Sequence, residues 1–250
     1  MEVYAGFAQV YDRLMEDVDY DRWMDYVFEI FKKYNVSPSL AAELGCGTGN
    51  MTNRLAKKDV EMIGIDLSEE MLGIARQKAI DADLEVLYLC QDMREFELYG
   101  TVDVVLSLCD SINYITEKED LLEVFKLVNN YLEPKGLFVF DLNTEYKFKN
   151  VLGDNVFAQA DDDISYIWEN NYDEDERINE YYVNFFIKKS DEKYEKIEEC
   201  HYERAYPVEE IKELIEESGM DFVDVFDAFT FESPRNDSQR IYVIAREKGK

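Results

Sequence analysis

Three glycines, one glutamate and one aspartate carry the most specific chemistry in this chain. Leu40-Ala-Ala-Glu-Leu-Gly-Cys-Gly-Thr-Gly49 runs an apolar strand straight into a glycine-rich turn. Asp66, seventeen residues beyond Gly49, closes the next apolar run, Val60-Glu-Met-Ile-Gly-Ile65. Glycines at 45, 47 and 49 let the backbone approach a ligand and take positive φ without a Cβ clash. An acid at the end of the following strand is placed to grip the two hydroxyls of a ribose. The spacing narrows the nucleoside. Dinucleotide sites favour G-x-G-x-x-G, which sets a pyrophosphate on a helix N-terminus. Here Glu43 stands just before the turn, where a carboxylate suits a cationic amino group and repels a diphosphate. The pattern implies an adenosine bearing a positively charged tail.

The elements that position these residues alternate strand and helix from residue 40 onward, the signature of a parallel sheet. Strands are expected at 40–44, 61–65, 84–89, 102–107 and 137–141. One helix follows the glycine turn. Another begins near Ser68, an N-cap supported by Glu69 and Glu70 in its first turn. A helix over 117–132 should stop before the turn Glu133-Pro-Lys-Gly136. Pro207 suits the first position of a helix running to Gly219. Two strand-like runs, 221–231 and 239–246, finish the chain.

Residues 1–35 read as an aromatic, helical entry segment, with Tyr4, Phe7 and Tyr11 at helical spacing and Tyr20, Trp23, Tyr26, Val27, Ile30 and Phe31 continuing an amphipathic pattern. Residues 150–205 break the alternation. Strands at 155–160, 164–172, 178–188 and 194–204, with turns at Asp161-Asp-Asp163, Asp173-Glu-Asp-Glu176 and Ser190-Asp191, read as an antiparallel insertion. Its charge is roughly sixteen acids against six bases. The organisation expected is a core of residues 1–150 and 205–250 with a β lid over 151–204.

The chain resembles the class I S-adenosylmethionine-dependent methyltransferases, of the small-molecule type with an antiparallel lid insertion. The resemblance rests on Glu43-Leu-Gly-Cys-Gly-Thr-Gly49, Gly64-Ile-Asp-Leu-Ser-Glu-Glu-Met-Leu72, Gln91-Asp-Met93, Val102-Asp-Val-Val-Leu-Ser-Leu108 and Leu132-Glu-Pro-Lys-Gly-Leu-Phe138. These motifs stand in family order across about 40–145. It implies an α/β, Rossmann-like, doubly wound and mostly parallel seven-stranded sheet closed by an antiparallel pair, with S-adenosyl-L-methionine as methyl donor. Gly45, Cys46, Gly47 and Gly49 would approach the donor, Glu43 its ammonium and Asp66 its ribose. Leu67 and Met71 would wall the adenine, with Asp92 and the Met93 amide at the ring edge. Tyr11 and Trp23 would cap the pocket. Cys109, Asp110, Asn113 and Tyr114, after the fourth strand, would face donor or acceptor. That stretch lacks the Asn/Asp-Pro-Pro-aromatic signature of base and glutamine methylation. It leaves oxygen, aliphatic nitrogen, carbon and sulfur acceptors open.

No catalytic residue is obligatory, because methyl transfer from a sulfonium needs mainly alignment and removal of one proton. His201, the sole histidine, is the natural general-base candidate, with Tyr114 and Asp110 beside it. The segment Glu232–Arg240 reads as a surface hairpin loop.

Composition sets the outer bounds. At 250 residues with 46% hydrophobic and 14% aromatic content, the chain can bury one sizeable α/β core. No apolar run approaches the ~20 residues of a membrane span, and Met1-Glu-Val-Tyr-Ala-Gly6 has no signal-peptide character; a cytoplasmic protein is expected. Four scattered cysteines and one histidine predict reduced thiols and no metal. The formal charge of −29, from 27 bases and 56 acids with no Lys/Arg cluster evident, disfavours nucleic acid and anionic membranes. A small-molecule acceptor is the expected partner, with oligomeric state open. The competing readings are a non-catalytic binder of donor or product, an RNA methyltransferase and an NAD-dependent oxidoreductase.

Overall fold

The structure is a computed structural model that describes residues 8–190 and 193–250. Tyr4, Phe7 and Asp191 lie outside the described residues. Two sheets organise the chain. The first has seven strands in the order β10-β11-β5-β4-β1-β2-β3, with β1 (Leu40–Leu44), β2 (Glu61–Asp66), β3 (Val86–Cys90), β4 (Val102–Ser107), β5 (Leu132–Asn143), β10 (Met220–Asp227) and β11 (Arg240–Glu247). Strands β1 to β5 run parallel, and β11 is antiparallel to both β5 and β10. The chain winds outward from β1 to β3, then returns to β4 on the other side of β1. Strand order therefore reverses between β1 and β4, where the carboxyl ends of such a sheet open a crevice.

The described part of the opening segment folds as two helices. α1 (Ala8–Leu14) and α2 (Tyr20–Lys33) are separated at residues 15–19, where Asp19 caps α2 by accepting from the Arg22 amide at 3.0 Å. Tyr20, Trp23, Met24, Val27, Ile30 and Phe31 recur at helical spacing and are buried. Behind the glycine turn come α3 (Asn50–Ala56) and α4 (Glu69–Asp81). The Ser68 hydroxyl accepts from the Met71 amide at 3.3 Å, the cap its residue type implies. α5 (Lys118–Tyr131) and α6 (Val208–Glu217) cover the other face. Pro207 lies one position outside α6, as its N-cap.

Two boundaries differ from the sequence reading. Residues 133–136 are a bulge inside β5: Val102 pairs with Leu132, and Val104 next pairs with Leu137. Lys135 takes φ +66° there and its amide is held by Glu247 at 2.9 Å. β10 stops at Asp227, because residues 228–231 fold back over α2. The Tyr26 hydroxyl donates to the Thr230 carbonyl, and Phe229 and Phe231 pack on the Tyr26 ring.

The second sheet is antiparallel, with β6 (Val156–Ala160), β7 (Ile164–Asp173), β8 (Ile178–Ser190) and β9 (Lys193–Arg204) in sequence order. Side chains alternate across it: Glu199, His201 and Glu203 are buried, while Cys200 and Tyr202 face outward. A π-helical turn, Lys147–Leu152, anchors it to the core. Phe148 is fully buried there against Tyr172 and Tyr181. At the far end Asp163, in the β6–β7 turn, pairs with Arg13 of α1 at 3.3 Å. α1 and the small sheet thus meet above the sheet's carboxyl ends. No helix among the described residues is long and apolar enough to cross a membrane.

Candidate functional site

On the β1–β2 side the glycine loop has the backbone its residue types imply. Gly45, Gly47 and Gly49 have φ of +68°, +53° and +73°. At Gly45 a Cβ would stand 2.6 Å from the Ser111 Cβ, so the loop after β4 packs directly against it. The Ser111 hydroxyl seals that contact by bonding the Gly45 and Leu108 carbonyls at 3.2 and 2.9 Å. At Gly47 a Cβ would meet nothing within 4 Å, leaving open space beside the backbone where a ligand can lie.

Asp66 faces the same loop. Its Oδ2 accepts from the Gly47 amide at 2.7 Å and its Oδ1 from the Ser68 amide at 2.9 Å. Each carboxylate oxygen has a second lone pair, so both can still accept a ribose hydroxyl. Burial raises the Asp66 pKa against the pull of those amides. Glu43 is 3% exposed and accepts the Thr52 hydroxyl. Burial pushes its carboxyl up to about 8, with the Asp66 charge adding to the shift. An unliganded Glu43 is therefore mostly protonated at pH 7, ready to ionise when a cation arrives.

The remaining donor-side candidates fall in distinct places. Cys46 extends the β1–β2 pairing through its amide on the Ile65 carbonyl at 3.0 Å, but its side chain packs with Leu72, Ala75 and Tyr88. Only its backbone can serve a ligand. Met93 lies beside Gly45, where its Cε would stand 3.4 Å from a Cβ placed on that glycine. Met71 is buried, whereas Leu67 is exposed. Asp92 is already gripped by Arg94, through Nε at 3.0 Å to each oxygen and the Arg94 amide at 2.9 Å. Arg94 holds the Asp92 pKa below the ordinary carboxylate value.

α1 closes this side through residues that sequence reasoning passed over. Asp12 accepts from Thr48 at 2.6 Å and Asn50 at 2.9 Å, and pairs with Lys78 of α4 at 2.6 Å. Thr48 and Asn50 flank Gly49, so Asp12 pins α1 to the loop. Tyr11 lies near Cys109, Asp110 and Tyr20, and its pKa is raised chiefly by burial. Trp23 instead packs on Phe229 and Tyr242, with the Arg240 guanidinium 5.0 Å above its ring.

Across the switch point, Cys109 and Asp110 both take positive φ, +58° and +59°. Two successive non-glycine residues there are sparsely populated backbone that surrounding contacts must hold. The Asp110 amide donates to Asp141 at 3.1 Å, and Arg240 joins Asp110 at 2.6 Å and Asp141 through its other nitrogen. Asp141 is fully buried at the end of β5. Arg240 is thus no surface-loop residue: antiparallel pairing sets it opposite Asn143, at the carboxyl edge of the sheet. Burial pushes the Asp141 carboxyl up to about 6, opposed by Arg240. Around this pair stand Lys147, 2.8 Å from Asn143, and Glu203 of the small sheet, 3.2 Å from the Asn143 amide nitrogen. Burial holds the Lys147 pKa down and lifts that of Glu203 well above its usual range.

Asn113 serves as a staple: its amide bonds the Asn143 and Arg204 carbonyls at 3.2 and 2.8 Å, and its oxygen takes the Asn143 amide at 2.9 Å. His201 is buried opposite Tyr181 and edge-on to Tyr114, with ring centroids 5.8 Å apart. Burial lowers its pKa to about 4. It is neutral at pH 7, the form that can accept a proton, and its burial lowers its basicity.

One cation cluster does form despite the overall charge. Arg54, Lys57, Lys58 and Lys78 line a groove of about 730 Å3 between α2, α3 and α4, behind the glycine loop. Two of the four are paired, Arg54 with Asp21 and Lys78 with Asp12. Among the described residues no group of three or more His, Cys, Asp or Glu side chains is arranged to hold a metal.

An open glycine loop, the Asp66 carboxylate facing it and the buried Glu43 carboxyl meet at the switch point of a seven-stranded sheet, where such folds bind nucleosides. A family profile described as "Methyltransferase domain" matches residues 41–136. The chain is 38% identical to the putative methyltransferase YqeM of Bacillus subtilis, covering 98% of this chain and 97% of that one. It superposes with a TM-score of 0.89 on an S-adenosylmethionine-dependent methyltransferase from Clostridium acetobutylicum, at 34% identity over 98% and 99% of the two chains. An amino pentose methyltransferase from Micromonospora echinaspora, solved with S-adenosylmethionine bound, shares the fold at 16% identity. Its TM-score is 0.76, over 95% and 96% of the chains. The chain belongs to the class I S-adenosylmethionine-dependent methyltransferases.

Proposed function

We propose that this enzyme methylates a small-molecule acceptor held between α1 and the small antiparallel sheet. The observation that carries this reading is enclosure. On the methyl-receiving side of the switch point, Asp141 and the small sheet's His201 and Glu203 are buried, and Asp110 and Arg240 are largely covered, with side chains 21% and 17% exposed. A duplex or a folded protein surface cannot lie flat on groups so covered, and the net charge of −29 repels a phosphate backbone. Relatives matched over shorter stretches point the same way. They include an amino-sugar N,N-dimethyltransferase of Streptomyces venezuelae, 29% identical over 54% of this chain, and a demethylmenaquinone methyltransferase of Staphylococcus saprophyticus, 24% over 68%.

In this reading the donor lies over β1, β2 and β3. Gly45, Gly47 and Gly49 give it backbone access, Glu43 takes its ammonium and Asp66 its ribose. Met93 and Leu67 flank the adenine, and the Met93 amide and Asp92 meet its edge, with Arg94 orienting that carboxylate. Tyr11 caps the methyl end beside Cys109. The bound donor supplies a methyl group on a positively charged sulfur, and the protein's task is to align an acceptor behind it. Residues 151–204 act as the substrate-selecting lid in a soluble cytoplasmic enzyme.

The test is transfer of labelled methyl from S-adenosylmethionine into cell extract, separated into small-molecule, RNA and protein fractions. Label in the small-molecule fraction is expected; label confined to RNA or protein would overturn the small-acceptor reading.

A further inference from the structure

The methyl-receiving side carries more acidic than basic side chains, and two of its fully buried acceptors have no donor. Asp110, Asp141 and Glu203 converge there against two cations, Arg240 and Lys147. Arg240 is consumed by the two aspartates. The donor's own charge and hydroxyls are already matched across the switch point by Glu43 and Asp66.

A second, independent observation concerns hydrogen bonding. Asp141 Oδ1 and Asn179 Oδ1 are fully buried oxygens with no hydrogen-bond partner. Asn179 stands in register with Glu203 across β8 and β9, and Glu203 is tied through Asn143 to the end of β5 that bears Asp141. The two orphaned acceptors therefore bracket the acid cluster. The hydroxyl of Tyr242, the register partner of Asp141, is buried and unbonded as well. Buried acceptors without donors are costly unless a guest supplies the hydrogens. Farther along the small sheet's inner face the wall turns aromatic: Trp168 and Tyr181 pack at 5.5 Å, with Phe157 on the Trp168 ring.

Resting on the reading of this side as the acceptor site, we propose that the acceptor is an alkyl amine on an aromatic or apolar body. It docks as its ammonium between Asp141 and Glu203 and is methylated on nitrogen. An ammonium brings three donors to the unpartnered acceptors, and its positive charge favours ionisation of Glu203, which burial otherwise holds protonated. A hydroxyl brings one donor and no charge, and a carboxylate adds a fourth acid and no donor. The chemistry balances. One ammonium proton passes to a carboxylate of the cluster, freeing the nitrogen lone pair. That pair forms the N–C bond as the C–S bond breaks, its electrons staying on sulfur. The products are an N-methylammonium and the neutral thioether.

The experiment titrates the S-adenosylhomocysteine-loaded protein with phenethylamine, 2-phenylethanol and 3-phenylpropionate, reading the fluorescence of Trp23 and Trp168. Single-turnover transfer from S-adenosylmethionine to the amine is followed in parallel. The amine should half-saturate at about tenfold lower concentration than either isostere and receive the methyl on nitrogen. Glu203→Gln and Asp141→Asn should each erase that preference while S-adenosylhomocysteine still binds. Should Asp141→Asn fail to fold, Glu203→Gln carries the test alone. Equal or tighter binding of the alcohol or the carboxylate overturns the proposal. So does the absence of saturation by all three with product bound normally. Failure of S-adenosylhomocysteine itself to bind would instead sink the assignment of the donor site.

Discussion

On the proposed reading, in which Glu43 ionises to receive the donor's ammonium, donor binding at neutral pH should release close to one proton. The carboxyl is 3% exposed and titrates at about 8 in the unliganded protein. At pH 7 it is then about 90% protonated, and ionising it costs ~1.4 kcal/mol. A bound ammonium favours the charged form and drives the proton off. About 0.9 proton should be released per S-adenosylhomocysteine bound at pH 7. Affinity should rise roughly tenfold between pH 6 and 7 and level off above pH 8. The assay is calorimetric titration at pH 7 in phosphate and in Tris, whose different ionisation heats report the proton count. The stability consequence has a fixed sign. The folded pKa lies above the ordinary 4.5, so this group's contribution is full below pH 4.5 and lost as pH rises through about 8. Ligand removes that loss, so the thermal shift given by S-adenosylhomocysteine should be larger at pH 8 than at pH 6. Equal heats in the two buffers, with pH-independent affinity, would refute the reasoning. Glu43→Gln serves as the control, since it keeps the shape and abolishes the release.

Three further outcomes follow from named contacts. Asp66→Ala removes the carboxylate that bridges Gly47 and Ser68 and should weaken S-adenosylhomocysteine binding by ~1.5–3 kcal/mol; unchanged affinity in a folded variant contradicts the ribose role. Gly45→Ala must fit a methyl 2.6 Å from the Ser111 Cβ at φ +68°. The left-handed backbone alone costs ~1–2 kcal/mol, so denaturant unfolding should show at least that loss. Arg240→Met strands the fully buried Asp141 and the largely covered Asp110 and should destabilise the fold by ~3–5 kcal/mol at pH 8. The loss should shrink toward pH 5, because Asp110 and Asp141, left facing Cys109, Tyr242, Glu203 and the single cation Lys147, can then protonate. A loss that does not vary with pH would show that the pair is not desolvated.

The glycine loop and its facing acid were legible because their signals are local. Gly45, Gly47, Gly49 and Asp66 each follow directly from a strand end, and strand ends are fixed by short apolar runs. The charged cluster across the switch point was not. Asp141, Lys147, Glu203 and Arg240 come from four separate parts of the chain and meet only through register. β11 brings Arg240 beside Asn143, and β9 brings Glu203 beside Asn179. No spacing rule in one dimension encodes such a meeting. Asp12 escaped notice for a related reason, since an acid on a short helix reads as solvated until Thr48, Asn50 and Lys78 are seen around it. Asn113 and His201 went the other way. Their residue types advertise chemistry, and tertiary context adds what spacing could not show: Asn113 bonds two backbone carbonyls and His201 is a buried ring.

The most direct test of the central claim, that the glycine loop, Glu43 and Asp66 form a donor site, is parallel calorimetric titration of the purified protein with S-adenosylmethionine, S-adenosylhomocysteine and NAD. The account predicts saturable one-to-one binding of both adenosyl sulfur compounds, weakened by Asp66→Ala, and no heat from NAD. Binding of NAD alone, or binding of the sulfur compounds indifferent to Asp66→Ala, would contradict it.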